Sequence, residues 1–221
     1  MSPTQQNLDD KTEERSRPEP HDRRQTILDV AQEIFLEDGY STTSMSTIAR
    51  SLGGSKATLY NYFDCKEALF EAFVHRYCAE QQQAIAALRF DGRNVRQGLI
   101  KLAGLYLDII LDERNISFFR IVVAEAARCP RIGVLFYESA ILGTATPIAR
   151  LLAEMSDEAA LDIGDSVAAA HQFMALVQGR LHRERLCNVT PAPSAKERDK
   201  EIARAVDTFL AAFGGKAEGA F

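Results

Sequence analysis

Apolar residues recur along this chain at three- and four-residue intervals almost from end to end, the spacing of helices with one buried face. Ile27, Val30, Ala31, Ile34 and Phe35 mark a helix over Asp22–Asp38, stopped by Gly39. Met45, Ile48, Ala49 and Leu52 mark a second, for which Thr42, Thr43 and Ser44 offer hydroxyl caps. Gly53 suits the positive-φ stop of a helix C-terminus. Ser55 is placed to cap a third, short helix in which Leu59 and Phe63 face inward. Asp64 and Glu67 have capping-box spacing, and Leu69, Phe70, Phe73, Val74 and Tyr77 continue a long helix to about Leu88.

The later pattern predicts helices over Asn94 to about Asp112, Asn115–Arg128, Arg131–Met155 with Pro147 inside, and from Asp162 or Asp165 to about Arg185. A last helix opens at the capping box Ser194/Glu197 and stops at Gly214-Gly215. Strand alternation is nearly absent, so the expectation is an all-α fold of about nine helices. Residues 1–21 read as a polar disordered tail, 22–66 as a three-helix head, 67–215 as a larger helical body and 216–221 as a second tail.

Composition narrows this picture modestly. With 221 residues and 46% hydrophobic content the chain can bury a core, and a net charge of -5 argues against a protein that coats nucleic acid all over. Any nucleic-acid contact is therefore expected in a patch. From Gly39 to Phe63 the only charges are Arg50 and Lys56, so this segment is locally cationic. Arg23 and Arg24, at the start of the first helix, are either phosphate contacts or solvated charges. No apolar run is expected to reach the ~18–20 residues of a membrane span, and the polar N-terminus does not read as a secretory signal. Cys65, Cys78, Cys129 and Cys187 lack metal-ligand spacing and read as free thiols of a reducing cytoplasm. No cofactor or metal is expected. No GxSxG, HExxH, P-loop or GxGxxG motif is present, and Cys129 with His171 is the only nucleophile–base pair to propose, so the chain does not read as an enzyme.

Helix, glycine-containing turn, then a helix showing Lys56, Thr58, Tyr60 and Asn61 outward is what a DNA-reading helix-turn-helix requires. Lysine can donate to guanine or phosphate, alanine and threonine permit close approach to thymine methyls, and tyrosine can donate to phosphate. Lys66, in the first turn of the fourth helix, reads as a further phosphate-seeking group.

The block ILDVAQEIFLEDGYSTTSMSTIA, then SKATLYNYF and Lys66, resembles the N-terminal domain of TetR-family transcriptional regulators. The stretch from ISFFRIVVAEAARCPRIGVLFYES to about Gly179 is similar to the C-terminal region of AefR-like repressors of that family. Where the family has Gly-Val before the serine, this chain has Gly53-Gly54, a departure that removes a staple contact at the entry to the third helix. The resemblance implies a homodimer reading a palindromic operator in double-stranded DNA. Lys56, Ala57, Thr58, Tyr60 and Asn61 would enter the major groove; Thr43, Tyr62 and Lys66 would meet phosphate, with Ser46 and Ser55 completing the candidate face.

In the body, Ala168, Ala169, Ala170, Ala175 and Gly179 on one helix and Val206, Phe209, Leu210 and Phe213 on the last look suited to self-association. In the family the last two long helices of each subunit form a four-helix dimer interface. A small-molecule effector is expected among the body helices, near some of Phe118, Phe119, Val122, Phe136, Tyr137, His171, Phe173, Met174 and Gln178. These expectations describe a cytoplasmic, ligand-responsive repressor; the alternative is a helical protein-interaction module whose helix-turn-helix is purely structural.

Overall fold

Side chains that accept hydrogen bonds open most of the helices, as the spacing predicts, in a computed structural model of the protein that describes residues 20–90, 94–157 and 161–214. The expectations for residues 1–19 and 216–221 lie outside the described residues. Ten α-helices are present among the described residues: α1 (Pro20–Asp38), α2 (Met45–Ser51), α3 (Lys56–Tyr60), α4 (Lys66–Ala86), α5 (Val95–Leu111), α6 (Glu113–Ala126), α7 (Pro130–Phe136), α8 (Gly143–Asp157), α9 (Ser166–Leu186) and α10 (Ala195–Phe213). A π-helical turn, Tyr137–Leu142, joins α7 to α8, so the described residues form nine helical rods. The all-α expectation holds. Apart from helices, the described residues show one isolated antiparallel bridge, between Leu161 and Gly214.

Ser44, Ser55, Asn94 and Asp165 each accept a backbone N–H at the start of α2, α3, α5 and α9, and Ser194 with Glu197 closes a reciprocal capping box on α10. One expected cap moves. Cys65, not Asp64, caps α4, its Sγ accepting from Ala68 N–H, and this leaves the Glu67 carboxylate free to bond Tyr40 instead.

Two cores result. The body core is built from α5, α8, α9 and α10, with Leu99, Leu102, Ile148, Leu152, Phe173 and Phe209 fully buried. The second core holds α1 to α4, but it also takes in Phe118 and Val122 of α6 and Ile132 and Leu135 of α7. The head is thus not cored separately from the body. α4 supplies Leu69, Phe70, Phe73, Val74 and Tyr77 to this second core and Ile85 to the body core, which makes it the shared beam.

Two positions disturb helix regularity. Pro147 lies inside α8 and has no N–H for the carbonyl one turn back; the disturbance appears as the π turn just upstream, where Gln82 of α4 donates to Ser139 O. Gly179 breaks α9 with φ 40° and ψ −141°, a conformation that L side chains avoid. The backbone break requires glycine here, whereas the sequence alone suggests a close helix approach.

The rod Pro130–Ser156 is long and apolar enough, by length and composition, to cross a membrane, which corrects the expectation that no run reaches that length. In the fold Ile148, Leu151, Leu152 and Met155 pack it into the body core.

Candidate nucleic-acid interface and interior cavity

The turn between α2 and α3 is tight because Gly53 takes φ 63° and its N–H and that of Gly54 return to Arg50 O and Ala49 O. Leu59 and Phe63 are buried under α3, which points the opposite face at solvent. Lys56, Ala57, Tyr60 and Asn61 are exposed together there, with Tyr60 at 47% despite its large ring. An exposed tyrosine beside a lysine and an asparagine on one short helix is a surface suited to base edges and sugar-phosphate. Ser55 is also exposed, but its Oγ accepts Thr58 N–H at 3.2 Å and pairs with Thr58 Oγ1 at 3.0 Å. Thr58 is therefore half-buried, with its hydroxyl engaged in the cap. Ser46 and Tyr62 are half-buried flanking residues.

Two expected phosphate contacts are used inside the protein. Thr43 is 2% exposed, and its Oγ1 donates to Gly39 O at 2.6 Å. Lys66 Nζ donates to Tyr40 O at 2.9 Å and Thr43 O at 3.0 Å, and it lies 4.2 Å from the Tyr40 ring centroid. The ammonium thus ties the α1–α2 loop to the start of α4. Beside it the Tyr40 hydroxyl donates to Glu67 at 3.0 Å, and burial together with this carboxylate pushes the phenol pKa upward. The Glu67 carboxyl is held below its ordinary value, first by its own backbone N–H and then by Tyr40. This cluster braces the loop that carries α2.

Aromatic rings link the head to the body. Phe35 meets Phe70 edge-on at 5.0 Å and lies 6.0 Å from Phe73, and Phe73 meets Phe118 at 5.5 Å. Phe118 then contacts Tyr77 at 5.3 Å and Phe136 at 5.5 Å; Phe136 touches Phe119, which stands edge-on to His182 at 5.6 Å. The chain of rings ends on a cavity of about 70 Å³ between α4, α5, α6, α9 and the π turn.

Phe118, Phe119, Phe136, Met174 and Gln178 line this cavity, as the sequence reading expected. Four other expected residues do not. Val122 is buried in the head-side core, Tyr137 is exposed, and His171 is half-buried away from the cavity; Phe173 is sealed in the body core against Phe209. The missed lining residues are chiefly polar: Tyr77, Gln81, Tyr106, Asn115, Thr144 and His182. Gln178 Nε2 donates to Tyr106 Oη at 3.0 Å, and Gln81 Nε2 donates to Asn115 Oδ1 at 2.8 Å. Burial raises the pKa of both tyrosines and pushes the Cys78 thiol up to about 12, so these groups stay protonated. His182 is held below its ordinary value by burial and then by Arg183, so it stays neutral. Among the described residues no Asp, Glu, Lys or Arg lines the cavity.

The expected self-association residues divide. Val206 and Phe209 are fully covered by their own chain and belong to the body core, which corrects their assignment to an interface. Ala169 and Ala170 are likewise buried. Ala168 and Ala175 are exposed along α9 beside Val167 and Gln172, while Leu210 and Phe213 are half-buried on α10.

A helical head that exposes Lys56 to Asn61, braced on a body with a cavity lined by aromatic rings and neutral polar groups, defines a helix-turn-helix regulator. Residues 27–73 match the family described as bacterial regulatory proteins, tetR family, and residues 97–215 match the AefR-like transcriptional repressor C-terminal domain. The chain belongs to the TetR family of transcriptional regulators, which is not a family of enzymes. Among solved structures it is similar to the flavonoid-responsive regulator FrrA, at 32% identity and a TM-score of 0.78, covering 89% of this chain and 100% of that one. It is 28% identical to the transcriptional repressor BepR of Brucella suis over 156 residues, 68% of this chain and 67% of that protein. A helix-turn-helix regulator of Mycobacterium tuberculosis is 48% identical over 50 residues, a match spanning 23% of this chain and 25% of that protein.

Proposed function

We propose that the protein is a homodimeric repressor that binds a palindromic operator through α3 and is released by a neutral aromatic effector held in the body. The observation that carries this reading is the physical continuity between the exposed Lys56–Asn61 face and the cavity, through a core that contains both head and body residues. Two copies related by a two-fold axis present two such faces to half-sites about one helical turn apart, ~34–36 Å. The self-complementary surface is the outward side of α9 and α10, where Ala168 and Ala175 permit close approach and Leu210 and Phe213 add apolar area. BepR is named a repressor, and the matched C-terminal domain carries the same description, which supports repression over activation.

The cavity chemistry sets the effector class. A charged ligand would lose its hydration without meeting an opposite charge, which is costly. A neutral ring system with hydroxyl or carbonyl oxygens would stack on Phe118, Phe119 and Phe136 and exchange hydrogen bonds with Tyr77, Tyr106 and Gln178. FrrA is named flavonoid-responsive, and flavonoids have this chemistry. At about 70 Å³ the cavity is below the ~300–1,000 Å³ of ordinary ligand sites, so entry requires the rings to part. Because the same rings pack under the head, parting them shifts α4 and with it the spacing of the two heads. The effector's leverage equals its differential affinity for the two states.

The direct test is a mobility shift on the DNA upstream of the protein's own coding region, with Lys56→Ala/Tyr60→Ala as the comparison. A discrete shifted band that weakens steeply with salt, and that the double variant loses while remaining dimeric, supports the reading. Equal binding by the variant refutes it.

A further inference from the structure

The departure at Gly54 has a tenant. A Cβ added at this glycine would stand 3.3 Å from Nη2 of Arg23, tighter than ordinary van der Waals contact. The guanidinium of the first turn of α1 therefore lies in the space that a side chain at position 54 would occupy, at the turn leading into α3. Gly54 has no positive φ, unlike Gly53, so its lack of a side chain answers this close approach and not a backbone need. The next residue, Arg24, is fixed separately, its guanidinium carbon 5.0 Å from the Phe63 ring centroid. Arg23 takes part in no ion pair among the described residues.

We infer that Arg23 is a phosphate anchor on the operator, seated against the recognition turn by the bare backbone of Gly54. The inference rests on the DNA-binding reading and adds a contact from α1 to it. A guanidinium offers a planar fork of donors matched to phosphate oxygens, and holding it at the turn lowers the entropy lost on contact. A residue there would set affinity and register without reading bases.

The experiment is a fluorescence-anisotropy titration of the full chain on a labelled duplex from the upstream DNA, repeated over a salt series. Arg23→Ala should weaken binding about tenfold and flatten the slope of log K against log salt by about one per subunit. Gly54→Val, whose branched side chain expels the guanidinium, should do the same, and the double variant should bind no worse than either single one. Gly54→Ala, which asks Nη2 to give only slightly, should stay within about twofold of wild type and guards against a folding defect in the valine variant. Wild-type affinity and slope in Arg23→Ala, or additive losses in the double variant, overturn the inference while leaving DNA binding intact. A wild-type chain that binds no DNA removes the DNA-binding reading, and this one with it.

Discussion

Phe118 is the ring that carries the second core from α4 to the wall of the cavity, and replacing it with alanine gives the sharpest prediction for the fold. Its side chain is buried and makes edge contacts with Phe73 at 5.5 Å, Tyr77 at 5.3 Å and Phe136 at 5.5 Å. Buried Phe→Ala changes cost about 3–5 kcal/mol, and aromatic pairs add about 0.5–1.5 kcal/mol each beyond their area. Three such pairs place Phe118→Ala at the upper end of that range, at about 5 kcal/mol. The void would join the existing cavity of about 70 Å³ and have an apolar lining, a combination that admits small aromatic molecules. Urea unfolding at one fixed protein concentration measures the loss, with and without benzene or indole. Binding at about 100 Kd should restore about 2.7 kcal/mol. A loss below about 1.5 kcal/mol, or no rescue by either molecule, would show that Phe118 does not pack between α4 and the cavity as described.

Three further predictions follow from single residues. Lys66→Met, which removes two carbonyl contacts, should cost about 2 kcal/mol in unfolding yet leave the salt slope of operator binding unchanged; a flatter slope would restore it as a phosphate contact. Gly179→Ala should cost about 1–3 kcal/mol because φ 40° is strained for alanine, so an unchanged denaturation midpoint would contradict the break in α9. His182 has a lowered folded-state pKa, so the unfolded chain takes up its proton first as pH falls below about 6.5. Stability should decline from that pH downward until the folded-state histidine also protonates, and His182→Gln should remove this component of the acid profile; an identical profile in the variant counts against the buried neutral ring.

Much of the helical architecture was legible because its signals are local. Stripes such as Met45, Ile48, Ala49 and Leu52, the caps Ser44, Ser55 and Asp165, and the box at Ser194 all lie within a turn or two of what they control. The exposed Lys56–Asn61 face was legible for the same reason. What escaped depends on distant partners. Lys66 reads as a free cation until Tyr40 and Thr43, more than twenty residues away, bring their carbonyls to it. Val206 and Phe209 read as an interface because amphipathicity does not say whether the covering helix comes from the same chain. His182 was available as a signal, since Met174, Gln178 and His182 repeat at four-residue steps, but His171 also shared an apolar helix with them. Cys65 caps α4 in place of Asp64, and Glu67 bonds Tyr40, a partner twenty-seven residues away that local spacing does not reveal.

In the proposed repressor cavity occupancy is coupled to operator binding, and such coupling is reciprocal. It is tested most directly by titrating a flavonoid aglycone into the full protein by calorimetry, with and without the upstream duplex, and by measuring duplex affinity with and without the aglycone. The aglycone should weaken duplex binding at least about tenfold, the duplex should weaken aglycone binding by the same factor, and both effects should vanish together when Gln178→Leu and Phe119→Ala alter the cavity. An aglycone that binds in the cavity and leaves duplex affinity unchanged would contradict it.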